Sequence, residues 1–244
     1  MSLENTKNQY GSYEQEIALL ERELEIEEEI KRKEQIELKT PHFRGNAALI
    51  QDIRESCEFI LSGPYETGKT FAALWLLDSL LREFPKSRAT IVRKLRSTMD
   101  GTVLETWRNV IAIRGGVDTF GGNRPVWYDY SNGSRVYIGG LDDPGKSLSG
   151  ERDFIYCNQA EELDQEDWQT LSTRASGRAA HALDSRGVPI AILFGDCNPS
   201  HENHWILSRD RLRLLPTAHK DNPTLYDDNA ELTLRGKQTM EVLN

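Results

Sequence analysis

The residues best equipped for chemistry lie together in Leu61-Ser62-Gly63-Pro64-Tyr65-Glu66-Thr67-Gly68-Lys69-Thr70. Gly63, Gly68, Lys69 and Thr70 fit the spacing G-x-x-x-x-G-K-[ST], with Pro64, Tyr65, Glu66 and Thr67 in the open positions. Backbone N–H groups of such a loop point into one concavity and cradle phosphate oxygens. Lys69 then reaches the β- and γ-phosphates as a point charge, and the Thr70 hydroxyl takes a coordination position on Mg²⁺. The flanks agree with this reading. Cys57 to Leu61 is a short apolar run that predicts a strand, and Phe71 to Leu77 predicts a helix whose positive end faces the phosphates. The ligand expected here is ATP with Mg²⁺.

Binding is only half of an ATPase. Hydrolysis also needs a carboxylate near the metal and a group that polarises the attacking water. Those acids are expected after a neighbouring apolar strand. The matching run, Phe154-Ile155-Tyr156-Cys157, is followed by Asn158-Gln159-Ala160-Glu161-Glu162, so both expected carboxylates are amides. An amide can orient water or bond to a metal-bound water, as Asn158 would, but it cannot accept a proton at neutral pH. Glu161 is the preferred candidate for the missing charge. Alternatively, Glu161 and Glu162 simply open a surface helix, where acids are favoured.

These groups need elements to hold them. Strands are expected at 57–62, 89–93, 153–157 and 190–194, with a fifth at 212–218. Helices are expected at 47–56, capped by Asn46, from Lys69 to about Phe84, at 96–113, with Val103, Trp107 and Val110 on one face, and at 164–173, capped by Asp164. Asn132-Gly133 between 126–130 and 135–138 predicts a β-hairpin. Strands alternating with helices imply an α/β fold with a mainly parallel sheet, helices on both faces and the ligand at the strand C-terminal edge. Residues 14–39 hold ten Glu and five Lys or Arg and read as one long exposed helix, either docked loosely or serving as an arm for a partner or a second copy. The expected division is an arm at 1–41, a nucleotide domain at 42–229 and a polar tail at 230–244.

Composition narrows the class. The chain has 244 residues, 28% of them charged, and a net charge of −9. No apolar run approaches the roughly 20 residues that span a bilayer, so no membrane role is expected. The polar start lacks a signal-peptide core, and Cys57, Cys157 and Cys197 lie far apart, which fits a reducing cytoplasm better than a disulfide framework. The acidic balance still permits a local basic face for nucleic acid.

Three blocks together resemble the ATPase domain of the large terminase subunit of tailed bacteriophages, the motor that packages viral DNA. They are Gly63 to Thr70; Lys146 to Gly150 with Phe154 to Leu163 and Asp167-Trp168; and Gly195-Asp196-Cys197-Asn198-Pro199 with His204-Trp205 and Asp221-Asn222-Pro223. The resemblance covers about Phe43 to Asn229 and implies a P-loop NTPase fold. It also implies double-stranded DNA, a portal and a small terminase subunit as partners, a homo-oligomeric ring, and the host cytoplasm. It gives Asn198 the role of coupling the γ-phosphate to domain movement and offers Phe43 and Arg44 for the adenine side. The chain departs from the family at Tyr65, where an arginine often stands. Arg93, Arg174 or Arg178 is then the candidate cation, in the same or a neighbouring subunit. The family's nuclease domain is expected in a longer or divided protein. Other P-loop ATPases of helicase or partition type, and a regulator that holds ATP without hydrolysing it, remain open.

Overall fold

The computed structural model describes residues 20–22, 24, 41–142, 150–177, 181–198 and 201–243. The chain divides into two compact units, Met1–Pro41 and His42–Asn244. In the first, Leu20, Glu21, Arg22 and Leu24 are helical, and the rest of the helix expected at 14–39 lies outside the described residues.

The second unit is built on one eight-stranded sheet. Its strands are β1 (Cys57–Ser62), β2 (Arg88–Arg93), β3 (Val117–Phe120), β4 (Trp127–Tyr130), β5 (Arg135–Gly140), β6 (Phe154–Cys157), β7 (Ile192–Cys197) and β8 (Leu212–Pro216). Their spatial order is β3-β4-β5-β2-β6-β7-β1-β8. From β5 to β8 all neighbours are parallel, and β3, β4 and β5 pair antiparallel. The hairpin around Asn132-Gly133 forms as expected, and its second strand joins the main sheet beside β2.

Strand side chains alternate between two apolar layers, as a pleat of period two requires. Phe59, Leu61, Ile91, Tyr156 and Phe194 face one layer, and Ile60, Val92, Ile155, Cys157 and Leu193 face the other. Helix α1 (Gly45–Leu49) and helix α2 (Lys69–Glu83) cover the first face. Helix α3 (Val103–Thr106) packs there too, whereas helix α4 (Gln165–Arg174) and helix α5 (Trp205–Ser208) cover the second.

Several expectations need correction. The fourth core strand runs through Gly195, Asp196 and Cys197 instead of ending before them. The glycine is required there, because a Cβ on Gly195 would lie 2.8 Å from the Cys157 carbonyl oxygen. Asn46 does not cap; Arg44 is the residue before α1, and the Asn46 amide donates to the Pro216 carbonyl at 2.6 Å. The helix expected at 96–113 is broken into a 3-10 turn (Arg96–Thr98), α3, a π-helical stretch (Trp107–Ile111) and a second 3-10 turn (Ala112–Arg114). The wider π turn moves Ile111 into the core and leaves Val110 at the surface. The tail at 230–244 contains helix α6 (Leu234–Leu243), packed so closely at Gly236 that a Cβ would sit 2.0 Å from the Leu225 carbonyl oxygen.

Candidate functional site

Because β1, β6 and β7 are parallel, Gly63, Asn158 and Asn198 leave the sheet on one edge. Gly68 has φ 81° and stands before α2, a left-handed position that glycine adopts without steric cost. Lys69 is the first residue of α2 and is almost buried, at 7% exposure. Its Nζ donates to the Gly63 and Pro64 carbonyls at 2.8 and 2.6 Å, to Thr67 Oγ1 at 3.2 Å and to Asn198 Oδ1 at 3.3 Å. Burial lowers its pKa, and the Asp196 charge acts in the opposite direction.

The last strand and the segment after it clasp the loop from outside. Thr217 N–H donates to the Ser62 carbonyl at 2.7 Å, and Thr217 and Thr67 share a hydroxyl hydrogen bond at 3.0 Å. His219 Nε2 bonds to the Tyr65 carbonyl at 2.9 Å, and Asn222 Nδ2 donates to the Glu66 carbonyl at 2.7 Å. Asn222 belongs to the Asp221-Asn222-Pro223 block noticed in the sequence, and it supports the phosphate loop.

The charge that the amides lack is found one strand over. Asp196 is 3% exposed, and its carboxylate accepts the Thr70 hydroxyl, Asn158 Nδ2 at 3.1 Å and the Gln159 N–H at 2.9 Å. Gln159 has φ 53°, and its buried Oε1 has no hydrogen-bond partner. Asp196 was missed in the sequence because it lies just past the strand expected at 190–194.

A cavity of about 670 Å³ brings Tyr65 to Phe71 together with Arg93, Asn158, Gln159, Asp196 and Asn198. Thr102, Glu105 and Asn109 also line it, a contribution that the sequence periodicity hid inside the broken 96–113 segment. Glu161 does not line this cavity. It opens on an adjoining one of about 320 Å³ with Asn198, His201 and His204. Its Oε1 accepts Asn198 Nδ2 at 2.9 Å, its Oε2 is buried without a partner, and burial raises its pKa.

The candidate cations are separated. Arg93 is 7% exposed and forms a two-pronged pair with Glu162 at 3.0 and 2.7 Å. Arg174 ends α4, and its carbonyl accepts the Arg152 N–H at 3.0 Å near the start of β6, at the sheet edge opposite the loop. Arg178 lies outside the described residues, as do Lys146, Ser147 and Pro199. On the adenine side, the Phe43 ring packs on Phe71 at 5.6 Å and Trp75 at 6.2 Å. Arg44 pairs with Asp228, and neither Phe43 nor Arg44 lines the cavity.

No family model and no curated protein matches this chain. Solved structures do. The large terminase of a thermophilic bacteriophage superposes with a TM-score of 0.63 at 15% identity, over 84% of this chain and 51% of that one. The complex of that terminase with ATP-γ-S superposes at 0.58 with 14% identity, over 83% and 50%. The large terminase ATPase domain of a Thermus phage superposes at 0.52 with 12% identity, over 75% and 82%.

The fold is that of the large terminase ATPase domain.

This chain spans about half the length of the first of these terminases. Among its described residues no helix is long and apolar enough to cross a membrane.

Proposed function

We propose that this chain is the ATP-binding and hydrolysing motor domain of a DNA-packaging terminase. The observation that carries the reading is the convergence of Lys69, Thr70, Gln159, Asp196 and Asn198 on one cavity at the C-terminal sheet edge. The donor set fits a triphosphate: a lysine held among loop carbonyls, backbone N–H groups at the start of α2 and a threonine hydroxyl, all hard-ligand chemistry. Mg²⁺, held there through the Thr70 hydroxyl and through water at Asn158, would neutralise developing phosphate charge.

Lys69 exchanges its carbonyl partners for phosphate oxygens, which are stronger acceptors. Gln159 orients the attacking water, and Glu161 takes its proton after release by Asn198 lets its side chain swing from the adjoining cavity into the nucleotide cavity. Asn198, touching both Lys69 and Glu161, links nucleotide state to that release. Arg93 is engaged by Glu162, so the transition-state cation comes from a neighbouring subunit, with Arg174 and Arg178 the candidates, and from assembly into a ring on double-stranded DNA with a portal and a small subunit in the host cytoplasm.

ATP turnover should be measured on the chain alone and with DNA and portal. Slow turnover alone and a rise on the order of 10³–10⁵, the worth of an arginine finger, support the reading. A second reading, a regulator that holds ATP, is favoured by the amide at Gln159. It predicts no turnover under any of these conditions.

A further inference from the structure

We propose that Asp196 on β7 is the carboxylate of this site's Mg²⁺, taking the place of an acid at the end of β6. This inference rests on the nucleotide-binding reading above.

The neighbouring acids are already accounted for. Glu162 is occupied by Arg93, Glu161 faces the adjoining cavity, Glu66 is 46% exposed with Arg235 at 3.9 Å, and Glu105, which also lines the nucleotide cavity, is exposed to solvent. Asp196 lines the nucleotide cavity, is buried, and forms no ion pair among the described residues. Lys69 feels the Asp196 charge but makes no direct ion pair with it, so the buried carboxylate stays costly and a divalent ion at its side lowers that cost. Its partners set the place. The carboxylate touches the Thr70 hydroxyl, the group that the loop offers to the metal, so two hard oxygen donors stand side by side.

Sheet register explains why β7 can supply this group. Asp196 pairs across β1 with Leu61, two residues before the loop begins. Gly195 pairs with Cys157, so Asp196 stands beside Asn158, the next residue of the β6 chain. Asn158 Nδ2 and the Gln159 N–H then hold the carboxylate in position at 3.1 and 2.9 Å. The charge has moved one strand along the edge, and the amide it left behind has become its positioning group. Exchanging the two residues preserves one amide, one carboxylate and the hydrogen bond between them.

The test is ATP affinity with Mg²⁺ and with chelator, measured by calorimetry on wild type, on Asp196→Asn and on the exchanged double variant Asn158→Asp/Asp196→Asn, with thermal melts as fold controls. Wild type should bind ATP more tightly with Mg²⁺. Asp196→Asn should lose the Mg²⁺ gain, by at least the roughly 10–100-fold typical of weaker outer-shell losses, while metal-free ATP binds no more weakly than to wild type because a negative charge beside the phosphates is gone. The double variant should regain it. If Asp196→Asn does not fold, the double variant decides: an Mg²⁺ gain supports the proposal and its absence overturns it. A folded Asp196→Asn with the full Mg²⁺ gain also overturns it. Wild type that binds no ATP at all overturns the nucleotide reading instead.

Discussion

Lys69 Nζ and Asn198 Oδ1 lie 3.3 Å apart, so the loop cation is already joined to the residue that follows β7. The other end of the same amide donates to Glu161 Oε1 at 2.9 Å. A ligand that draws Lys69 toward phosphate therefore pulls on the group that restrains Glu161. Asn198→Ala should leave ATP affinity within a few-fold of wild type but lower turnover on the order of 10²-fold, the smaller end of what positioned acid–base groups contribute. Binding isotherms and steady-state rates check this, and equal loss in both would make Asn198 a binding residue only.

Gly63 is fixed by what lies beside it. A Cβ there would meet Thr217 Oγ1 at 2.3 Å and the Thr217 carbonyl oxygen at 2.4 Å. Gly63→Ala should cost about 1–3 kcal/mol, as overpacking does. Adding Thr217→Ala should not rescue it, because the backbone contact remains. Thermal melts of the single and double variants decide; full rescue would show that the hydroxyl was the obstacle.

Glu161 gives a pH signature. Burial raises its pKa in the folded chain, so the folded state holds that proton more tightly than the unfolded one. Ionised Glu161 therefore lowers stability above its folded pKa, and the penalty fades as pH falls through that value. Glu161→Gln keeps an acceptor for Asn198 and removes the charge. Its melting midpoint should exceed that of wild type at about pH 8 and converge with it near about pH 3, below the usual glutamate range. The assembly-stimulated ATPase rate should be lost with ATP affinity nearly unchanged. A normal rate would make Glu161 a helix-opening acid.

What the sequence revealed depended on distance along the chain. Gly63 to Thr70 was legible because its chemistry lies within one loop, and the apolar runs on either side are local signals. The hairpin at Asn132-Gly133 was legible for the same reason. Asp196 was not. Glycine and aspartate are poor strand formers, so the strand expected at 190–194 stopped short of Gly195-Asp196. Only the pairing with β1 and β6 carries the strand through them, and only that pairing sets Asp196 against Thr70. The 96–113 segment failed for a different reason: its period is helical until a π turn shifts it, and nothing local marks Trp107 as the point of change. The fold class survived both errors because it needed only the order of the strands and helices.

The central claim is that Gly63 to Thr70 holds a nucleoside triphosphate through Lys69. Titrating ATP with Mg²⁺ into wild type and Lys69→Ala, with melts to confirm folding, tests it most directly. Lys69 should contribute about 1.5–3 kcal/mol through its charged hydrogen bonds, so the variant should bind on the order of 10–100-fold more weakly while melting near wild type. Unchanged affinity in a folded Lys69→Ala protein would contradict the site, and with it the motor assignment.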